Sequence, residues 1–513
     1  MATTDPATPS SAPAQGSFGE RVRSAMAWRW GSQALAQIIT WGSTIAVVRL
    51  LDPGDYGLFA MSQVVVTALA FLNGYSFATS LVQSHNVDSH RIGQVFGLLL
   101  LFNGILATIQ LLVAPLVADY YNQPQIVSML RCQALIFLTT PFIALPSALL
   151  QRRIEFRSQA MVSMASAVIA ALTAFVLAWN GWGVWALIWA PIAGFASRAI
   201  GLTVAARLLV KPVFNFRGAG DLISFGGALT LCQLFWIIQS QSDIVIAGRA
   251  FSPHDLGLYS EALFLTLIIT GRFLPPINEV AFPAYSELHK EGRALGPFFL
   301  RTLRTVFLVT APLYTGLALT AEPAVATLFG PKWLDMAPVV AGLSLAMPFM
   351  ALQIVCSPAT NAMGRPRIYV MTSAAGAIIM PAAFLYGISN GPFGLVHAWW
   401  IAAPLLLAVT LFLTLPAVGV RLRDLSSELA PAALACGLMA ISVLGIEWVL
   451  DDSLPSILAL AILVAAGGIT YAASLWLFWP RMVKETWAML MRRPPSFAGP
   501  DGQTTTIPDA PAA

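Results

Sequence analysis

RLLDPGDYGLF at Arg49–Phe59 returns as RAFSPHDLGLY at Arg249–Tyr259, two hundred residues later. Arg49, Pro53, Asp55, Gly57 and Leu58 match Arg249, Pro253, Asp255, Gly257 and Leu258, five identities in eleven positions. Phe59 and Tyr259 add an aromatic match. Each copy closes one apolar run and opens another. The residue types suit a helix-to-helix turn. Proline stops one helix or starts the next, aspartate caps the following helix by accepting its free N–H groups, and glycine permits a tight approach. Arg49 and Arg249 end the preceding helices, where a cation suits the helix dipole. Both arginines also suit a second role, lining the outer mouth of a central cavity.

The surrounding chain is 57% hydrophobic and 10% charged, whereas an ordinary soluble domain carries about 25% charge. About fourteen apolar stretches approach the roughly 20 residues that a helix needs to cross hydrocarbon. They run near 27–51, 57–83, 92–117, 126–150, 159–178, 183–207, 222–247, 257–283, 298–320, 336–363, 369–389, 393–415, 428–450 and 456–479. With the N-terminus in the cytoplasm, 22 of the 28 Lys and Arg residues fall in inner connectors or tails. Arg49, Arg249 and Lys332 lie outside, and Arg131, Arg198 and Arg272 lie within spans. That bias follows the positive-inside rule and places both termini in the cytoplasm. The net charge of +4 reflects it rather than nucleic-acid binding.

The repeated connector joins spans one and two, and again spans seven and eight. Six spans separate the copies, so the repeat is parallel, about an axis along the membrane normal. YNQPQIV at 121 against WLDMAPV at 333, and QRRIEF at 151 against MGRPRI at 363, are fainter echoes. The expected fold is an all-α polytopic membrane protein: two six-helix bundles and two extra C-terminal helices. Its parts are a disordered cytoplasmic tail 1–18, a first bundle 19–207, a cytoplasmic linker 208–221 and a second bundle 222–415. Helices thirteen and fourteen follow at 416–479, then a basic amphipathic surface helix at 480–493 and a disordered tail 494–513. The four cysteines, Cys132, Cys232, Cys356 and Cys436, fall in apolar runs and read as small buried hydrophobes.

Several activities are disfavoured. The chain has no phosphate-binding G-x-x-x-x-G-K-[ST] loop, no nucleophile elbow and no zinc-type His/Cys cluster. No metal or cofactor is expected. Outer connectors such as DPGDY, WNGW, ISNGP and DDSLP are too short to carry a glycan polymerase or glycosyltransferase site. Transport is favoured over catalysis.

RLLDPGDYGLFAM at 49–61, QSQSDIVIAGRAFSPHDLGLYS at 239–260, FPAYSEL at 282–288, LFGPKW at 328–333 and AMGRPR at 362–367 carry a family resemblance. The set is similar to polysaccharide-biosynthesis flippases of the Wzx type, within the multidrug, oligosaccharidyl-lipid and polysaccharide exporter superfamily. The resemblance implies flipping of undecaprenyl-diphosphate-linked oligosaccharide across a bacterial inner membrane by alternating access, for exopolysaccharide, capsule or O-antigen. It implies lipid-linked cargo and membrane lipid as partners, with polymerase and chain-length or export proteins downstream. A multidrug or cation antiporter of the same superfamily is the rival. The chain has Glu261 after GLYS, where relatives often carry a base.

Ionisable residues inside spans are the default site candidates. Arg272, Arg198 and Arg131 suit a diphosphate, because a guanidinium binds phosphate in a forked geometry. Arg49 and Arg249 suit the outer mouth. Asp243, Glu261 and Glu279 are candidates for gating or ion coupling, with Asp243 placed to pair with an outer arginine. His397 and Glu447 are weaker. Gln37 and Gln241 head a set of amides suited to sugar hydroxyls, with Gln33, Gln63, Asn73, Gln233 and Gln239. Structural ion pairs and interhelical hydrogen bonds are the competing reading for every one. Pro275 and Pro276 are expected to interrupt span eight beside Arg272.

Overall fold

The computed structural model describes residues 35–73, 78, 88–153, 155–208, 210–215, 220–450 and 454–484, with backbone alone for 220–233. The expected tails, Gln33, the side chains of Cys232 and Gln233, most of the end of span two and most of the surface helix lie outside the described residues. No strand occurs among the described residues. The helices are α1 (Leu35–Leu50), α2 (Pro53–Ala70), α3 (Ser89–Tyr121), α4 (Gln125–Thr139), α5 (Pro141–Arg152), α6 (Phe156–Trp179), α7 (Val184–Ala205) and α8 (Gly220–Ala250). They continue as α9 (Pro253–Lys290), α10 (Gly296–Leu319), α11 (Ala321–Leu328), α12 (Ala337–Ala362), α13 (Pro366–Gly387), α14 (Gly391–Val418), α15 (Leu422–Glu447) and α16 (Ser456–Phe478).

Ten helical segments among the described residues are long and apolar enough to cross a membrane, and the chain is a multi-pass membrane protein. The difference from fourteen has local causes. Pro366–Val418 is one continuous apolar segment that contains both α13 and α14. The short α1, α2 and the partly described α8 occupy three further expected positions. Contacts divide the chain into two compact units, Met1–Ser260 and Glu261–Ala513. The division falls within α9, because α8 packs on α2 and α3 of the first unit.

In the first unit α6 and α7 pack over small residues. A methyl group added at Gly201 would lie 2.7 Å from Val162 Cγ1, and one at Gly194 would lie 3.0 Å from Ala170 Cβ. Close approach of backbones is how membrane helices gain packing energy when lipid offers no hydrophobic drive. Pro146 inside α5 removes the donor for the Phe142 carbonyl, and Thr203 Oγ1 from α7 donates to that carbonyl at 3.3 Å. The segment 210–215 is strapped to the start of α3: Val213 N donates to Gly93 O at 2.8 Å, and Gln94 Nε2 donates to Asn215 O at 2.8 Å.

In the second unit α12 packs against α10 and α14. Trp400 Nε1 donates to Gly342 O at 2.8 Å, and Tyr314 Oη donates to Thr266 O at 3.0 Å. Arg304 in α10 is buried and pairs with Glu428 in α15 at 3.0 Å. This pair ties the appended helices to the bundle.

One expectation needs correction. Pro275 and Pro276 do not interrupt span eight: α9 runs helical through them and through Pro283. They withdraw donors from the carbonyls four residues back without ending the helix. Trp399 is buried, with its ring 5.7 Å from that of Phe384. Cys132, Cys356 and Cys436 are free thiols.

Asp55 carries two helix ends. One oxygen accepts from Asp52 N at 3.3 Å at the start of α2, and the other accepts from Val184 N at 2.9 Å at the start of α7. Asp255 instead exchanges hydrogen bonds locally with Ser252, at 2.8 Å and 3.1 Å. Asp55→Ala is therefore expected to cost more than Asp255→Ala, each lost cap being worth about 1 kcal/mol. Thermal unfolding in detergent should rank the variants in that order.

Candidate functional site

The two copies of the connector meet. A methyl group added at Gly57 would overlap the carbonyl oxygen of Pro253, and one added at Gly257 would overlap that of Pro53. Each would also lie 3.1 Å from the other glycine's nitrogen. The contact is reciprocal, as a two-fold axis between α2 and α9 requires. Glycine is needed here for the closeness of two backbones rather than for an unusual φ. Asp55 and the Ser252 hydroxyl sit beside this crossing as caps, so the connector residues act first as structure.

The ends of α8 and α3 dock next to it. Arg249 is exposed and lies over the Tyr120 ring at 4.9 Å, a cation–π contact. Tyr120 Oη donates to Val245 O at 3.3 Å, and Gly248 leaves room for Tyr121, whose Cε1 would be 2.6 Å from an added methyl. Arg49 is exposed at the corresponding end of α1. Asp243 is 2% exposed and accepts from Tyr259 Oη at 3.0 Å and from Ile244 N at 2.8 Å. Among the described residues it forms no ion pair. Tyr259 takes the place expected for an outer arginine, and that tyrosine is the aromatic position of the repeated connector.

The remaining candidates fall on several different helices. Arg198 lies half-buried in α7, and its Nε is buried without a hydrogen-bond partner. Arg131 is exposed on α4. Arg272, Pro276 and Glu279 are exposed on α9 at helical spacing, so they line one face of that helix. Glu261 is half-buried near the start of α9, and Gln37 and Gln241 are half-buried in α1 and α8. His397 and Glu447 are exposed. Among the described residues no group of three or more His, Cys, Asp or Glu side chains is placed to hold a metal.

The second unit has an apolar cavity of about 400 Å³ between α9, α10, α15 and α16. Leu265, Ile269, Leu313, Met439, Leu463 and Tyr471 are among its walls. Sequence reading missed it, because it arises from helices far apart in the chain whose lining is indistinguishable from ordinary lipid-facing residues.

The model of one family, described as "Polysaccharide biosynthesis protein", matches residues 46–338. The chain belongs to this family. The matched region contains both copies of the connector. Among relatives, the succinoglycan biosynthesis transport protein ExoT of Rhizobium meliloti (strain 1021) is 27% identical over 374 residues, 72% of this chain and 76% of that one. The lipopolysaccharide biosynthesis protein WzxC of Escherichia coli (strain K12) is 23% identical over 320 residues, 61% of this chain and 64% of that one. Among solved structures, the lipid II flippase MurJ in an inward closed conformation superposes with a TM-score of 0.69 at 12% identity. The match covers 88% of this chain and 98% of MurJ. An inward-facing multidrug transporter of the MATE family gives 0.59 at 15% identity, over 75% and 94%. The chain therefore shares its fold with these two transporters, and the polysaccharide-family resemblance read from the sequence holds.

The crossing predicts opposite signs for the same substitution. Gly57→Ala and Gly257→Ala should each destabilise by about 1–3 kcal/mol, as overpacking does. Gly104→Ala, in α3 with nothing within 4 Å, should be neutral or stabilising by about 0.4–1 kcal/mol. Unfolding temperatures of the three purified variants check this.

Proposed function

We propose that the chain flips undecaprenyl-diphosphate-linked oligosaccharide repeat units from the cytoplasmic to the periplasmic leaflet of a bacterial inner membrane. Both termini are then cytoplasmic, and the connector crossing lies at the periplasmic end. The observation that carries the reading, within a family of polysaccharide biosynthesis proteins, is Arg198. Its guanidinium sits at membrane depth with a buried Nε that has no partner. A buried guanidinium nitrogen without a partner is costly unless a ligand completes it, and a diphosphate does so with charge-assisted hydrogen bonds.

Arg272 on the exposed face of α9 suits the same head group. Gln37 and Gln241 suit sugar hydroxyls. The apolar cavity of about 400 Å³ suits a stretch of polyprenyl chain. Arg49 and Arg249 stand at the crossing, where the head group would leave. Short connectors and the absence of a catalytic constellation in the sequence favour transport over polymerisation. Likeness in fold to a multidrug transporter keeps an antiporter as the second reading, and the polysaccharide family match stands against it.

A deletion strain should accumulate complete lipid-linked repeat units on the cytoplasmic leaflet, and the wild-type gene should clear them. In the rescued strain, Arg198→Ala should lower cargo affinity by roughly 10–100-fold, since hydrogen bonds to charged groups are worth about 1.5–3 kcal/mol. Arg198→Lys should recover part of it. Full transport by a normally expressed Arg198→Ala protein removes Arg198 from the mechanism. Normal leaflet distribution in the deletion strain, with no redundant flippase, overturns the function.

A further inference from the structure

The first unit buries a cluster of amides that the transport reading leaves unused. Gln110 of α3 is fully buried and Gln133 of α4 is 2% exposed. Gln110 Nε2 donates to Leu130 O at 2.7 Å. Gln133 Nε2 donates to Gln63 Oε1 of α2 at a long 3.4 Å. Leu130 and Gln133 are three residues apart, on one face of α4, so the two bonds bring α2, α3 and α4 to one place. With these bonds made, Gln110 Oε1 and Gln133 Oε1 remain buried and accept nothing. Arg131, the nearest cation in sequence, is exposed and lies on another face of α4.

The cluster thus gathers two unpartnered amide oxygens, of Gln110 and Gln133, beside the Gln63 amide and the Leu130 carbonyl, which each accept one of its hydrogen bonds. Burying such acceptors without partners costs about 1–3 kcal/mol each, and more apolar residues of the same length would fit a membrane interior better. We propose that this cluster is a binding site for a monovalent alkali cation. Neutral carbonyl oxygens replace the hydration shell of such ions. Divalent calcium and magnesium need carboxylates, which the hydrogen-bonded cluster lacks, and transition metals favour imidazole or thiolate. The ion would cross-link three helices of one unit, and α2 leads directly to the connector crossing. The binding claim stands without the transport reading. Only a role for the ion in driving cargo would rest on it.

The test is thermal unfolding of the purified full chain in choline chloride, NaCl and KCl at constant ionic strength. The wild type should show a saturable rise in unfolding temperature with sodium or potassium over choline. Gln110→Met and Gln133→Met should abolish the rise while keeping or raising the unfolding temperature in choline. Asn103→Leu, a buried amide two turns before Gln110 on α3, should keep it. Equal unfolding of the wild type in all three salts overturns the site. So does a salt response that survives in both Met variants, which would place the ion elsewhere. Should neither Met variant fold, equilibrium binding of radioactive sodium and rubidium to the wild type decides: no saturable binding above that of Gln63→Met overturns the site.

Discussion

Two backbones crossing at Gly57 and Gly257 set the geometry around which the first unit is arranged. A carbonyl occupies the space that a side chain would take on each side, so neither helix can carry any residue but glycine there without moving. The contact anchors α2 against the beginning of α9. Arg249 on Tyr120, Tyr121 against Gly248 and Asp243 with Tyr259 surround it. None of these is a salt bridge. Packing of small residues and neutral or cation–π contacts hold the region, as suits a medium where helices associate without hydrophobic drive.

The repeat is symmetric in backbone and asymmetric in wiring. Asp55 reaches across to the start of α7 at Val184, whereas Asp255 closes on Ser252. Identical residues in a duplicated turn have thus taken different partners. The Asp55 copy is bonded into its bundle and the Asp255 copy is bonded only to its own turn.

Much of this was legible in the sequence. Apolar runs gave the helical membrane class and the quoted motifs gave the family, because each is read along one chain. The partner of each intramembrane charge was not legible. Asp243 was expected to face an arginine and bonds Tyr259 instead, a residue whose hydroxyl carries no pattern to read. The buried Arg304 and its partner Glu428 lie 124 residues apart. The prolines of α9 read as a break, yet a membrane helix tolerates withdrawn donors that neighbours can offset. The amides Gln110 and Gln133 gave no sequence signal, since their meeting depends on the packing of α3 on α4.

If the chain flips lipid-linked cargo as proposed, the connector crossing must part for that cargo to leave. In a background with the four native cysteines replaced, Gly54→Cys and His254→Cys would place one thiol on each copy of the connector, where a methyl at Gly54 lies 4.0 Å from His254 N, so a disulfide between them can be sought. Oxidation in a strain that depends on this chain for its surface polysaccharide should stop polymer production, and a reductant should restore it. Unchanged production with the disulfide fully formed would contradict the account.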